Sequence, residues 1–326
     1  MKHDLWKLAA ILAALFAGCA NAWGQASYPD KPVRIILGNP PGGTSDLMWR
    51  SLQVSIQASL GQQIIIEYRT GGAMTLATNL VAKAPPDGYT IGTIISTHAA
   101  NVSLMASKLP YDTIKDFTFI AMMGRVPNIV AVHPSIPVSS MQELLALARA
   151  KPGFLHHGTS GNGSSQHFAG EMLKQRTGVD IIHIPYRGGS QAIADLVGGQ
   201  IEMMFGNFTS ILPNVQAGKV KPLAVTGPTR NSEYPNLPTV AEALNLPGYE
   251  VNEWFAVVGP KDMPKEIVAK LNKAIYDAIK RPETAKRFRE QGIETVFMTP
   301  DQLESFVKTE IVKLGEIAKQ ANMKVD

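Results

Sequence analysis

Two glycine- and serine-rich runs carry the residue types best suited to holding an anion. The first is Pro41-Gly42-Gly43-Thr44-Ser45-Asp46 and the second is Gly158-Thr159-Ser160-Gly161-Asn162-Gly163-Ser164-Ser165. Each should follow a strand and open a helix, so backbone N–H groups and the positive end of a helix converge on one spot. Glycine lets the backbone approach a ligand closely, while Thr44, Ser45, Ser160, Ser164 and Ser165 add hydroxyl donors. Tyr68-Arg69-Thr70-Gly71 and Tyr186-Arg187-Gly188-Gly189 lie downstream, with 25 residues from Gly43 to Tyr68 and 25 from Gly161 to Tyr186. A turn, a helix, a strand and a Tyr-Arg-x-Gly loop thus recur in one order. Two similar α/β lobes with facing loops, and a ligand in the cleft between them, are expected. Arg69 and Arg187 could clamp a carboxylate bidentately or simply pair with surface acids.

Other chemistries fit less well. Gly161-Asn162-Gly163 lacks the third glycine of a dinucleotide fingerprint, and no Gly-Lys-Ser/Thr phosphate loop occurs. Ser160 is followed by Gly161-Asn162, which is not a nucleophile elbow. A secreted hydrolase using Ser164 or Ser165 with His167 stays open as an alternative. His98, His133, His156, His157, His167 and His183 show no metal-ligand spacing, and His156-His157 should face opposite sides of a strand. No metal and no cofactor are expected. The formal charge is +4 with basic residues scattered, which gives no support to nucleic-acid binding. Trp254 reads as a core residue.

The elements that must position the loops follow from periodicity. Val33 to Leu37 reads as a buried strand, and Leu52, Ile56 and Leu60 mark one face of a helix closed by Gly61. Strands at 63–67, 89–95, 129–132, 181–184, 201–205 and 223–226 alternate with helices, which implies a mostly parallel sheet in each lobe. Ser140 and Thr299 open helices with capping boxes, and Pro264 and Pro282 start two more. With 326 residues, two domains are expected. The first lobe covers 27–125, the second 126–230, and 231–326 returns to the first, with crossings near 120–130 and 225–235.

Residues 1–26 read as a secretory signal peptide. Lys2 and Lys7 precede the apolar run Leu8 to Ala17, and Ala20-Asn21-Ala22 offers a cleavage pattern. Ten apolar residues cannot span about 30 Å of hydrocarbon as a helix. Phe16-Ala17-Gly18-Cys19 resembles a lipoprotein box, so a lipid anchor at Cys19 is the lesser reading. Cleavage after Cys19 removes the sole cysteine and leaves 29 basic and 26 acidic residues, a formal +3.

The ordered phrases Tyr28-Pro29-Asp30-Lys31-Pro32-Val33-Arg34, Pro41-Gly42-Gly43-x-x-Asp46, Pro86-Asp87-Gly88-Tyr89-Thr90, Leu109-Pro110-Tyr111-Asp112, His183-Ile184-Pro185-Tyr186-Arg187-Gly188, Leu223-Ala224-Val225-Thr226 and Pro238-Thr239-Val240-Ala241-Glu242 resemble the Bug receptors. These are periplasmic substrate-binding proteins of tripartite tricarboxylate transporters. The resemblance covers about 28–320. It implies an α/β, two-lobed periplasmic-binding-protein fold of type II-like design, periplasmic location, a small organic carboxylate as ligand, membrane transporter subunits as partners, and a monomer that is not an enzyme. A ligand-sensing partner of a membrane sensor kinase would need the same fold. By motif, the first-lobe site is Asn39, Gly42, Gly43, Thr44, Ser45 and Asp46, with Ser96, Thr97 and His98. The second-lobe site is Thr159, Ser160, Gly163, Ser164, Ser165 and His167, completed by Tyr186, Gly206 and Asn207. An aromatic is common in the family where Asn39 stands, and an acid where Gly206 stands. The missing acid leads to the expectation of an amine-free acid as ligand, an aromatic acid included, in a pocket enlarged at Gly206.

Overall fold

The computed structural model describes residues 28–323; the signal-peptide segment and Cys19 lie outside them. The chain runs β1 (Val33–Leu37), α1 (Thr44–Leu60), β2 (Ile64–Tyr68), α2 (Thr75–Ala82), β3 (Thr90–Ile95) and α3 (Ser96–Leu104). A long strand, β4 (Phe117–Val132), and α4 (Met141–Ala150) follow. The first pattern then repeats as β5 (His156–Thr159), α5 (Ser165–Thr177), β6 (Ile182–Pro185), α6 (Gly189–Val197), β7 (Met203–Asn207) and α7 (Phe208–Gln216). The chain ends with β8 (Lys221–Val225), α8 (Val240–Leu244), β9 (Asn252–Pro260), α9 (Lys265–Lys280), α10 (Pro282–Glu290) and α11 (Pro300–Gln320).

Strand pairing turns this repeat into two related sheets. The first has the order β2-β1-β3-β9-β4 and the second β8-β4-β7-β5-β6. β1 pairs in parallel with β2 and β3, as β5 does with β6 and β7. An antiparallel strand then flanks each trio, β9 beside β3 and β4 beside β7. In this correspondence α1 matches α5, α2 matches α6, and α3 matches α7. Even the helix ends agree: α1 and α5 both stop at a left-handed glycine, Gly61 (φ 71°) and Gly178 (φ 68°), a conformation that costs glycine no Cβ clash.

β4 belongs to both sheets. Its first part, Phe117 to Pro127, pairs with β9, and Asn128 to Val132 pairs with β7. Only the end of this strand is legible as one from sequence, because Gly124 and Pro127 punctuate it and its register with β9 shifts twice. β9 escapes sequence reading altogether: all nine residues are buried, so no period-2 alternation marks it. The return crossing therefore lies later than 225–235, since β9 begins at Asn252 and α8 packs on α4 and β8 of the second sheet. The crossings are tied side by side: Thr226 Oγ1 accepts from Asn128 N–H (2.9 Å) and donates to Val251 O (2.7 Å).

One apolar layer covers each face of the joined sheets. Trp254 lies in the layer with Phe168, Phe205 and Leu314, while Phe255 lies in the other with Trp49, Phe208 and Phe288. Adjacent residues of a strand face opposite sides, so β4 and β9 feed both layers. Trp254 is a core residue, with its indole N–H donating to Glu310 (3.1 Å). The tail was expected to complete the first lobe rather than form a third domain; α11 packs on α3 and β4 and also reaches α5 of the second lobe. Gln175 Nε2 of α5 donates to Ile317 O of α11 at 3.0 Å.

Candidate functional site

Loops leaving the carboxyl ends of β1, β3, β5 and β7 open α1, α3, α5 and α7, the arrangement that places a ligand crevice beyond the strand ends. These helix starts meet across the lobes in two pairs. Thr44, first residue of α1, donates its hydroxyl to Asn207 Oδ1, just before α7, at 3.2 Å. Ser96, first residue of α3, and Ser165, first residue of α5, are joined by Glu253. One Glu253 oxygen accepts from Ser96 N–H (3.2 Å) and Ser96 Oγ, and the other accepts from Ser165 Oγ (3.0 Å). Because α1 matches α5 and α3 matches α7, the two pairs are equivalent under the internal repeat. Asn128 connects them: it lies opposite Asn207 in the β4–β7 register, and its Nδ2 donates to Ser165 Oγ at 3.5 Å.

The electrostatics favour a negative ligand group. α1 has no side-chain cap, so its first amides keep donor capacity, whereas the first amide of α3, Ser96 N–H, is taken by Glu253. Ser45 Oγ, in the first turn of α1, is buried without a hydrogen-bond partner. Asp46 would oppose an anion there but is folded back into its loop. Its oxygens accept from Gly42 N–H (2.8 Å), Tyr68 Oη (2.6 Å) and Arg50 Nε (2.9 Å). Burial pushes the Asp46 carboxyl up, but these bonds outweigh it and hold the group below its ordinary value. Glu253 differs. Burial raises its pKa, only partly offset by the two serines.

Thr44, Ser45, Ser96, Ser165 and Asn207 are thus brought together. Thr97 is buried in the first turn of α3, and Asn39 is half-buried in the loop before Gly42 and Gly43. The second Gly/Ser loop proves largely self-satisfied. Ser160 N–H donates to Gln166 Oε1 (2.7 Å), Gly163 N–H to His167 Nδ1 (3.3 Å), and Ser164 N–H to Gly161 O (3.3 Å). Thr159 Oγ1 meets Gly161 N–H (3.2 Å) and His183 Nε2 (2.7 Å). Gly163 is needed for another reason: its φ is 75°, and a Cβ there would lie 2.8 Å from Leu104 Cδ1 of the first lobe.

Three expectations are corrected by side-chain direction. His98 does not face the cleft; its ring stacks on Tyr111, meets Phe117 edge-on, and points Nε2 at Thr113 O (3.0 Å). Tyr186 turns its hydroxyl to Asp195 of α6 at 2.8 Å. A Cβ at Gly206 would meet Ile211 Cδ1 at 2.6 Å, on the apolar face of β7, so no pocket volume is gained there. Arg69 follows the plainer reading and pairs with Glu67 at 3.3 Å, and Arg187 is exposed.

A Ser–His pair does not form. Ser164 Oγ donates to Gly161 O (2.8 Å) while accepting from His167 N–H, and Ser165 Oγ is held by Glu253. The His167 ring stacks on His183 with centroids 3.8 Å apart. Among the described residues, no group of three or more His, Cys, Asp and Glu is placed to hold a metal ion. Sequence reasoning missed Glu253 and Asn128. The available signal for the first is a lone acid beside an apolar run, Trp254 to Val258, since a buried acid needs partners.

The Thr44–Asn207 contact joins the lobes with no charge involved. Thr44→Val should cost about 1 kcal/mol. A double-mutant cycle with Asn207→Ala in chemical denaturation should show coupling above about 0.5 kcal/mol. Strict additivity would mean that the lobes do not meet there in solution.

A model of the tripartite tricarboxylate transporter family receptor matches residues 48–323. Protein BugT of Bordetella pertussis is 32% identical over 328 residues, covering 99% of each chain. A structure described as R. palustris Rpa4515 with adipate superposes with a TM-score of 0.86 at 33% identity, over 91% of this chain and 100% of that one. MatC (Rpa3494) from Rhodopseudomonas palustris with bound malate gives a TM-score of 0.80 at 29% identity, over 89% and 99%.

Proposed function

The chain belongs to the tripartite tricarboxylate transporter receptor family, and from that premise we propose that it is a periplasmic receptor that captures a small organic carboxylate between its lobes and delivers it to the membrane subunits of a transporter. The observation that carries this reading is the meeting of four helix starts at the lobe boundary, with a buried, unpartnered Ser45 hydroxyl among them. Such groups suit a carboxylate because amide and hydroxyl donors converge where the helix ends are positive. The carboxylates named with two of the similar structures, adipate and malate, support the same ligand class.

Mechanism follows from the paired contacts. Each anion position draws donors from both lobes, so a ligand there gains its full set of bonds only when the lobes are together. Differential affinity for the closed arrangement then drives closure. No bond of the ligand need break, consistent with serine hydroxyls committed to Gly161 O and Glu253 rather than to an imidazole. Residues 1–26 serve as the export signal in this reading, and the receptor works as a monomer. No helix among the described residues is long and apolar enough to cross a membrane.

Thermal melting of the ligand-free protein against mono-, di-, tri- and aromatic carboxylates, with amino acids as controls, tests the proposal. A ligand at 100 times its Kd should add about 2.7 kcal/mol, an upward shift of a few degrees. A protein that no acid stabilises, or that hydrolyses ester substrates through Ser164 or Ser165, would contradict it.

A further inference from the structure

We propose that Glu253 is a specificity-determining residue: its carboxylate fills one of the two equivalent anion positions in the cleft, so the receptor takes acids charged at one end only, with an alkyl or aryl group at the other. The inference rests on the receptor reading and narrows its ligand class.

The internal repeat carries the argument. One position lies between the starts of α1 and α7, the other between those of α5 and α3. In the second, Glu253 receives the donor set a bound carboxylate would use, an amide N–H and hydroxyls from Ser96 and Ser165, one serine from each lobe. The side chain is buried, and its bonds come from neutral donors rather than a basic group. A carboxylate satisfied in this way is a tethered occupant of an anion site.

The first position has no such occupant. Thr44 and Asn207 bond each other directly, and Ser45 Oγ, with the residue 1% exposed, has no partner. Gln166 takes the place of Ser45 in the other lobe, and its Oε1 is engaged by Ser160 N–H. Among the helix starts, the buried hydroxyl without a partner therefore lies on the α1 side. A second ligand carboxylate reaching toward α3 and α5 would meet an oxygen-rich group already holding the donors. An uncharged end would not lose by this, because it needs no donors.

Binding constants for matched pairs test the inference, hexanoate against adipate and benzoate against terephthalate, measured by calorimetry on wild type, Glu253→Gln and Glu253→Ser. Wild type should bind the monoacid of a pair at least tenfold more tightly. Glu253→Gln keeps the volume without the charge and should narrow the ratio. Glu253→Ser vacates the position and should bring the diacid level or ahead. Circular dichroism confirms that each variant is folded. A wild type that prefers the diacid, or a ratio unchanged in Glu253→Ser, overturns the inference while leaving the receptor reading intact. If no acid binds wild type at all, the receptor reading itself falls, and this inference with it. Should neither variant fold, the wild-type ratio alone still decides.

Discussion

Taking the protein from pH 7 to pH 4.5 should remove on the order of 5 kcal/mol of folding stability, because several histidines are buried uncharged. Burial holds His98 down to about 4, and His183 to about 4 with help from the Lys174 charge. His167 lies at about 3, lowered by burial and then by His183 and Lys174. His157, buried with neither ring nitrogen bonded, lies well below its ordinary value. In the unfolded chain each titrates near 6.5. The unfolded state therefore binds more protons between the two values, and stability rises with pH across that window. The contribution is fully present above about 6.5 and is lost as pH falls toward 4.

His98 alone accounts for roughly 2 kcal/mol of this, as a fully buried ring held from about 6.5 down to about 4. The other three lie close together, with His157 5.3 Å and His167 3.8 Å from His183 between centroids, so their protons couple and their costs do not add. Glu253 works in the opposite direction, since its raised pKa makes the fold easier to keep as it protonates. Denaturant titrations in steps from pH 7.5 to 4.5 measure the net slope. A flat profile over that range would show that these rings reach solvent in the native state. His98→Phe should remove part of the slope while leaving the rest.

Gly206→Asp should destabilise the protein by about 4 kcal/mol rather than recruit an amine-bearing ligand. The new Cβ would lie 2.6 Å from Ile211 Cδ1 and 3.0 Å from Ile211 Cβ, close to the backbone end of that side chain, where rotation gives little relief. Overpacking there costs about 1–3 kcal/mol, and a carboxylate aimed at an apolar face adds its desolvation. Gly206→Ala should show the packing part alone. Melting curves of both variants, together with aspartate and glutamate binding, check this. A Gly206→Asp protein that melts normally and gains affinity for those amino acids would restore the acid's side chain to the cleft.

The two predictions mark where sequence reading stops. The repeat was legible because it is written in local chemistry: glycines at tight turns, hydroxyls at helix starts, apolar residues at helical or strand spacing. Those signals depend on neighbours a few residues away, and they were enough for the alternating α/β order, the two facing loops and the family. They also pointed to Thr44, Ser45 and Ser165 as helix-start donors, while Asn207 entered through the family resemblance. His98 sits two residues after Ser96 on α3, yet one ring enters the core and the other side chain enters the cleft. That choice is made by where Tyr111 and Phe117 pack, not by the helix itself. Gly206 and Asn207 part in the same way on β7, since adjacent strand residues face opposite sides and only the sheet's partners say which side is the cleft.

Glu253 and Asn128 reach the site through long-range pairing, of β9 with β3 and β4 and of β4 with β7, close to where β4 passes from one sheet to the other. Nothing within ten residues of Asn128 announces it, and at Glu253 the local signal is only an acid abutting an apolar run. The sequence by itself determined the two lobes and their anion-suited loops, because short-range periodicity and turn residues encode them, and the carboxylate class followed from the family resemblance. Only the tertiary structure decided which helix starts face each other and that the chain's own carboxylate lies between one pair, because that depends on contacts between residues as far apart as Ser96 and Glu253.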